Sequence, residues 1–429
     1  MTDVDAINFF RDDDMVADPY PYFEALRAEC PVRREVHHDV VMVTGYEEAT
    51  AVLNDTARFS SCTAVTGPFP GFPVPLVGDD ISDLIAQHRD SLPMSDQLPT
   101  LDPPVHTDHR SLLLRLITPK RLKENEAFMW RLADRQLDTF LNNGRCEYIS
   151  EFANPFAMLV IADLLGVPED EHAQFEEALL HRAAGGGVGS VTARPMGHSP
   201  LEYLYERFTD YIEDRRRSPR DDVLTGLASA TFPDGSMPEV IDVVRVAANL
   251  FAAGQETTVR LLGSALQRIA EDQELQEELR SRRDLIPNFI EEMLRFESPI
   301  KGDFRLSKVP TTIGGVDLPA GTTLMLVLAA ANRDPRKFDD PATFDVRRAN
   351  VRQHISFGRG VHTCPGAPLA RSEACVSIQR LLDRTTEIRI SESEHGPAGD
   401  RRYAYVPTFI LRGLTRLHVE FTVKDRPRR

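Results

Sequence analysis

Apolar side chains recur every three or four positions over most of residues 104–290, the period of α-helices that bury one stripe. The pattern predicts helices over 112–122, 128–141, 152–165 and 201–215, with a shorter one over 23–30. The longest stretch starts near Ser236. Ser236 and Glu239 have the spacing of a capping box, and Pro238 suits the first turn. Val240, Val244, Ala247, Leu250, Leu262, Ala265 and Ile269 then mark one face as far as about Ala270, and the middle of the run carries little charge. At ~1.5 Å per residue such a helix rises roughly 50 Å, enough to cross the whole molecule with its centre buried.

Beyond Pro299 the period shortens. Runs at 311–313, 322–328, 388–390, 409–411 and 417–423, with 40–43 near the other end, predict short strands, several set off by Gly-Gly and Pro-Ala-Gly punctuation. A further helix is expected after Cys364. Residues 62–100 are rich in Pro and Gly and show no period, yet hold Val65, Phe69, Phe72, Val74 and Leu76; an irregular stretch of that length is usually functional. A Gly-rich break at 183–190 reads as a flexible connection. The fold class is mainly α with a smaller β region (α+β), read as a single domain over 1–429. Its helical body occupies about 104–298 and 364–384, and its β-rich region about 31–62, 300–330 and 385–425.

Charge and cysteine usage narrow the function. Against 66 Asp plus Glu stand 50 Lys plus Arg, a net charge of −16, which argues against a nucleic-acid binder but allows a charged protein to dock on a local basic patch. Cys30, Cys62, Cys146, Cys364 and Cys375 are odd in number, scattered and without a CxxC pair. That speaks against a disulfide framework or structural zinc and for a reducing, cytoplasmic setting. The N-terminal residues lack a basic flank and a long apolar run, so no signal peptide or membrane anchor is expected.

The stretch most informative about chemistry runs from Phe357 to Arg371, FGRGVHTCPGAPLAR. A lone Cys is most often an inert buried residue. Here three glycines and two prolines force tight turns around Cys364, and a helix follows, so backbone amides and a helix dipole can hold a thiolate. The segment resembles the heme loop of the cytochrome P450 family in its soluble bacterial form, meeting FGxGxHxCxGxxLAR at every fixed position. The resemblance implies heme b lying between the long central helix and the helix after Cys364, with Cys364 as axial ligand to the iron. A thiolate ligand pushes electron density toward the iron and favours O–O cleavage. By resemblance, Phe357 is implied in cofactor binding, Gly358 and Gly360 let the loop pass close under the porphyrin, Gly366 lets the following helix approach, and His362 lies near a heme propionate.

Three more segments carry the resemblance. Ala253-Gly254-Gln255-Glu256-Thr257-Thr258 is poor helix design, with Gly and polar residues mid-run. It reads either as a tolerated Gly or as a local distortion that makes room for O2 and water. The family's acid–alcohol pair is matched by Glu256 and Thr257, which are implied to relay protons. Glu292 and Arg295, at i and i+3, can form an ion pair and resemble the family's buried structural pair, with Arg347 expected as third member. His106 and Arg110 share a helix face and, with Arg305, resemble the family's propionate partners; His354 is a further candidate. Buried carboxylates need such cations.

The resemblance implies a monooxygenase that inserts one oxygen atom from O2 into a lipophilic small molecule (a terpenoid, a steroid or a fatty acid). Electrons are expected from a ferredoxin and ferredoxin reductase, docking near Cys364 where Arg359 is basic, because the chain has no flavin or nicotinamide motif. A monomer is expected. Candidate pocket residues are Val65, Phe69, Phe72 and Val74, then Ala252, Ala253 and Thr258, then Ile300, Phe304, Ile410 and Leu411; core packing is the ordinary alternative for each. A peroxide-using heme-thiolate enzyme, which commonly lacks the acid–alcohol pair, and a non-catalytic heme sensor or binder are the alternatives.

Overall fold

In the computed structural model of the protein, which describes residues 4–180, 189–191 and 199–424, the helical stripes are buried where the pattern places them. The principal helices are α1 (Tyr20–Glu29), α2 (Ser82–His88), α3 (Val105–Leu116), α4 (Pro119–Phe140), α5 (Asn154–Leu165), α6 (Ser199–Arg217), α7 (Val240–Glu271), α8 (Ile286–Phe296) and α9 (Ala367–Arg384). The expected helix over 112–122 splits in two. Thr118 accepts a hydrogen bond from the Arg121 amide and Pro119 takes the first helical position, so a new helix, α4, starts there.

α7 is the axis of the molecule. It packs on α6 and α5 and meets α3, α8 and α9. It begins at Val240, four residues after the expected start. The capping box is Glu239 with Asp242, not Ser236 with Glu239, because Ser236 is spent on a turn in which both its amide and hydroxyl donate to Asp234 Oδ1. α7 also runs unbroken through Ala253–Thr258. Of the two readings of this run, the tolerated Gly holds and the distortion is absent, and Gly254 serves close packing: a Cβ at that position would lie 2.3 Å from Ile161 Cδ1 of α5. Gly254→Ala should therefore destabilise by about 1 kcal/mol, overpacking of ~1–3 outweighing the helix-propensity gain of ~1. In an Ile161→Val background, which removes Cδ1, the same substitution should stabilise. Denaturant midpoints of the four proteins check the reversal of sign.

The β region joins distant parts of the chain. β1 (Val32–Arg34), β2 (Val41–Val43), β3 (Phe59–Ser60), β5 (Asp303–Ser307) and β8 (Thr323–Leu326) form one sheet in the order β1-β2-β8-β5-β3. β2 lies parallel to β8, with Val41 opposite Leu324, and β5 lies antiparallel to β8, with Arg305 opposite Leu324. β4 (Arg145–Glu147), β10 (His418–Val423) and β9 (Thr385–Ile390) form a second sheet, and β6 (Thr311–Ile313) and β7 (Val316–Leu318) a hairpin. The expected strand at 409–411 is a loop, held by an isolated bridge between Leu411 and Ile300, by the Phe409 amide on Gly189 O and by the Lys301 amide on Ile410 O. The Gly-rich break at 183–190 lies mostly outside the described residues, of which Ser190 bridges to Thr408. No helix of the described residues is long and apolar enough to cross a membrane.

Candidate active site

The Cys364 loop is built by backbone geometry. Gly358 and Gly360 have φ of +67° and +70°, the left-handed region that side chains avoid, and a Cβ on Gly360 would meet Leu53 O at 2.7 Å. These turns fold the loop back on itself: the Cys364 amide donates to Phe357 O at 2.8 Å, the Gly358 amide to Ile355 O at 2.9 Å and the Thr363 hydroxyl to Gly360 O at 2.8 Å. α9 begins three residues later. Burial pushes the Cys364 thiol up, while the Gly366 and Ala367 amides and the Arg110 guanidinium oppose this by favouring the thiolate. Gly366 has an ordinary helical φ, and a Cβ there would sit 3.8 Å from the sulfur, so it is not forced by close approach.

His106, Arg110, Arg305 and His362 converge beside this loop. The His106 and His362 rings lie 4.1 Å apart. Arg110 donates to the Thr363 carbonyl, and Arg305 bonds Asp303 at 2.8 Å. Burial first, and then the neighbouring cations, push both imidazoles down, His106 to about 4 with Arg110 the strongest cationic influence, and His362 to about 2 with Arg305. His106 Nδ1 is buried without a partner. Crowded cationic and imidazole groups with an orphaned ring nitrogen suit an anionic ligand, and beside a cysteine they fit the propionates and iron of heme b. Asp102, to which the sequence reading assigned no role, braces the cluster. It accepts from the Ser60 hydroxyl and the Ser61 amide, and the Ser61 hydroxyl lies 3.1 Å from His362 Nε2. Its place in Asp-Pro-Pro, four residues before His106, was the available signal.

His354 is not in this cluster. A buried carboxylate, Glu291, takes its Nε2 at 2.9 Å. Glu292 and Arg295 are fully buried and form two parallel bonds of 2.7 Å each. The third member is Arg348, whose Nε lies 3.2 Å from Glu292 Oε1. Arg347 instead reaches out to Glu278, because only the residue after it points inward from this turn.

On α7, Ala252 and Ala253 are exposed in the middle of an otherwise buried helix, and Thr257 shares their stripe. The Thr257 hydroxyl donates to Ala253 O at 2.9 Å, and Glu256 pairs with Arg260 at 2.9 Å, which in turn donates to Leu414 O. Thr258 is buried on the other side, toward Glu373 of α9. Phe304 is likewise in the core, against Phe10 and Phe409, its ring under Gly67. Phe69 packs with Phe10 and His38 under Arg11, and Phe72 meets His88 edge-on. For these four aromatic or hydroxyl side chains the packing alternative describes the contacts seen. Ile410 and Leu411 are also buried, whereas Val65, Val74 and Ile300 are half-buried.

Comparison with known proteins agrees with this geometry. Residues 202–388 match the family model for cytochrome P450. Over 98% of its length the chain is 33% identical to "Cytochrome P450 144" of Mycobacterium tuberculosis, covering 92% of that protein. It superimposes with a TM-score of 0.93 on substrate-free CYP150A6 of Mycobacterium marinum, at 55% identity, covering 98% of this chain and 100% of the other. CYP109E1 of Bacillus megaterium, solved with corticosterone, matches with a TM-score of 0.78 at 26% identity, over 95% of this chain and 99% of the other.

Proposed function

This chain belongs to the cytochrome P450 family and is a heme-thiolate monooxygenase, and from that premise we propose which residues serve the reaction, what it acts on and what supplies its electrons. Cys364 would hold the iron through its thiolate. His106, Arg110, Arg305 and His362 would hold the heme propionates, Phe357, Gly358 and Gly360 shape the loop that carries Cys364, and Gly366 opens the helix that follows it. Bound heme supplies the activation of O2; the protein supplies orientation, the thiolate and control of water and protons.

Thr257 and Glu256 deliver the protons. With its own proton on Ala253 O, the Thr257 hydroxyl turns its lone pairs toward the exposed Ala252–Ala253 stripe, where it can accept a hydrogen bond from water. Glu256, steadied by Arg260, is the neighbouring acid that exchanges protons with solvent. The observation that carries the reading is the convergence of the Cys364 loop with four nitrogen-bearing side chains beside it, since that donor set matches an anionic, iron-bearing macrocycle.

The substrate is a lipophilic small molecule, a terpenoid, a steroid or a fatty acid. The methyl groups of Ala252 and Ala253 offer an apolar wall with little bulk, and a relative of the same fold was solved in complex with corticosterone, which supports a steroid-sized lipophilic substrate. The electron donor is a ferredoxin with its reductase, and the protein is a cytoplasmic monomer.

The experiment is turnover of a lipophilic panel, first ranked by shift of the iron spin state, with ferredoxin, reductase and NADH. Wild type should couple NADH use to hydroxylated product. Thr257→Ala should keep its heme and its NADH use while product per NADH falls roughly 10²-fold, the low end of general acid–base effects. Unchanged coupling would remove Thr257 from the relay. Turnover with peroxide alone, and none with any ferredoxin, would overturn the electron route.

A further inference from the structure

A second ionic cluster stands next to the Glu292–Arg295 pair, on the side of the Cys364 loop. Glu291 is buried and its carboxylate takes three bonds: Arg371 Nε at 2.6 Å, Arg371 Nη2 at 3.0 Å and His354 Nε2 at 2.9 Å. The tautomer of His354 is set from its other side, where Nδ1 accepts the Ser356 amide at 3.2 Å, so Nε2 carries the proton that Glu291 receives. Burial pushes the Glu291 carboxyl up, but the bonds from His354 and Arg371 outweigh it and hold the group down at about 2. Arg371 closes the cluster against the heme loop: its guanidinium lies 4.6 Å over the Phe357 ring, the residue whose carbonyl receives the Cys364 amide.

We propose that Glu291 is a positioning residue of the thiolate site, which fixes Arg371 against Phe357 and balances its charge behind the Cys364 loop. The proposal rests on the reading of Cys364 as the iron ligand. Three consequences follow from electrostatics and packing. The Arg371 guanidinium stacks on Phe357, whose carbonyl receives the Cys364 amide, so its charge stands beside the loop that carries the sulfur. Glu291 offsets that charge, so the net field at the sulfur is set by the pair and not by Arg371 alone. The fork of two bonds also holds the guanidinium plane over Phe357, which limits how far the loop can shift. Outer partners of this kind orient a metal ligand and tune the metal.

The test uses purified holoenzyme and reads the midpoint potential of the heme together with the lifetime of its red-shifted carbon monoxide band. Glu291→Gln removes a negative charge and should favour reduction about tenfold, a positive shift of ~59 mV for one electron. Arg371→Gln removes the positive charge and should shift the potential in the opposite direction. Both should shorten the band's lifetime several-fold, since both release Phe357. Glu291→Asp, which keeps the charge but not the reach, should restore the potential and not the lifetime. Shifts of the same sign, or wild-type values in both charge variants whatever their melting temperatures, overturn the proposal and leave the cluster a folding element. Should Glu291→Gln fail to fold, the half-buried position of Arg371 keeps the opposite variant available, and a wild-type potential there overturns it equally. A wild type that binds heme without the red-shifted band overturns the Cys364 reading itself, which is a separate result.

Discussion

Cys364→Ala should abolish the red-shifted Soret band of the reduced carbon monoxide complex and, with it, monooxygenase turnover. Loss of partners one bond removed from a metal costs roughly 10–100-fold in affinity or activity; loss of the ligand itself should exceed that. The loop would survive the change, because the turns at Gly358 and Gly360 and the bond from the residue 364 amide to Phe357 O involve no side chain of Cys364. Among the described residues, His362, two residues away, is engaged with His106 and Ser61, and burial pushes the Cys62, Cys146 and Cys375 thiols up without the helix-start amides that oppose it at Cys364. Heme content and the difference spectrum check the outcome. A wild type with a band typical of a histidine-ligated heme would overturn the assignment of Cys364.

The second large effect is on stability. Arg295→Leu should cost about 3–5 kcal/mol, because it strands the fully buried Glu292 carboxylate. Arg295 also donates to the carbonyls of Asn332, Pro341 and Thr343, so the substitution frees the first two acceptors and leaves Thr343 O to Arg348 alone. Arg295→Lys should recover little, since an ammonium cannot reproduce the planar fork that meets both carboxylate oxygens. Arg348→Ala should also destabilise, by about 1–3 kcal/mol, through loss of a bond to a charged partner and of donors to the Asp339 and Thr343 carbonyls. Arg347→Ala should stay within about 0.5 kcal/mol, as expected for an exposed pair. Equilibrium denaturation followed by circular dichroism separates the two arginines. Equal costs at 347 and 348 would contradict the network as the structure draws it.

Arg347 and Arg348 also show where sequence reading stops. Both sit in one short basic pair, and nothing local says which side chain turns inward. That depends on the turn after Asp345, whose amide is itself held by Glu292 Oε1. The aromatic pocket candidates meet a related limit. Phe69, Phe72 and Phe304 are apolar residues in suitable segments, but whether an apolar side chain lines a cavity or fills a core is decided by what faces it from elements far away in the chain. For Phe304 those are Phe10 and Phe409. His354 drew a functional expectation from its nearness to Phe357; Glu291, sixty-three positions earlier, claims it.

The sequence by itself determined the helical stripes, the long α7 and the family resemblance carried by the Cys364 loop, because each is written in local spacing: period for a helix, glycine for a left-handed turn, a fixed string for a metal loop. Only the tertiary structure decided which cations surround that loop, which arginine closes the Glu292 pair and which side of α7 is left open at Ala252 and Ala253. These are matters of charge and volume, settled between residues hundreds of positions apart once the chain has folded around them.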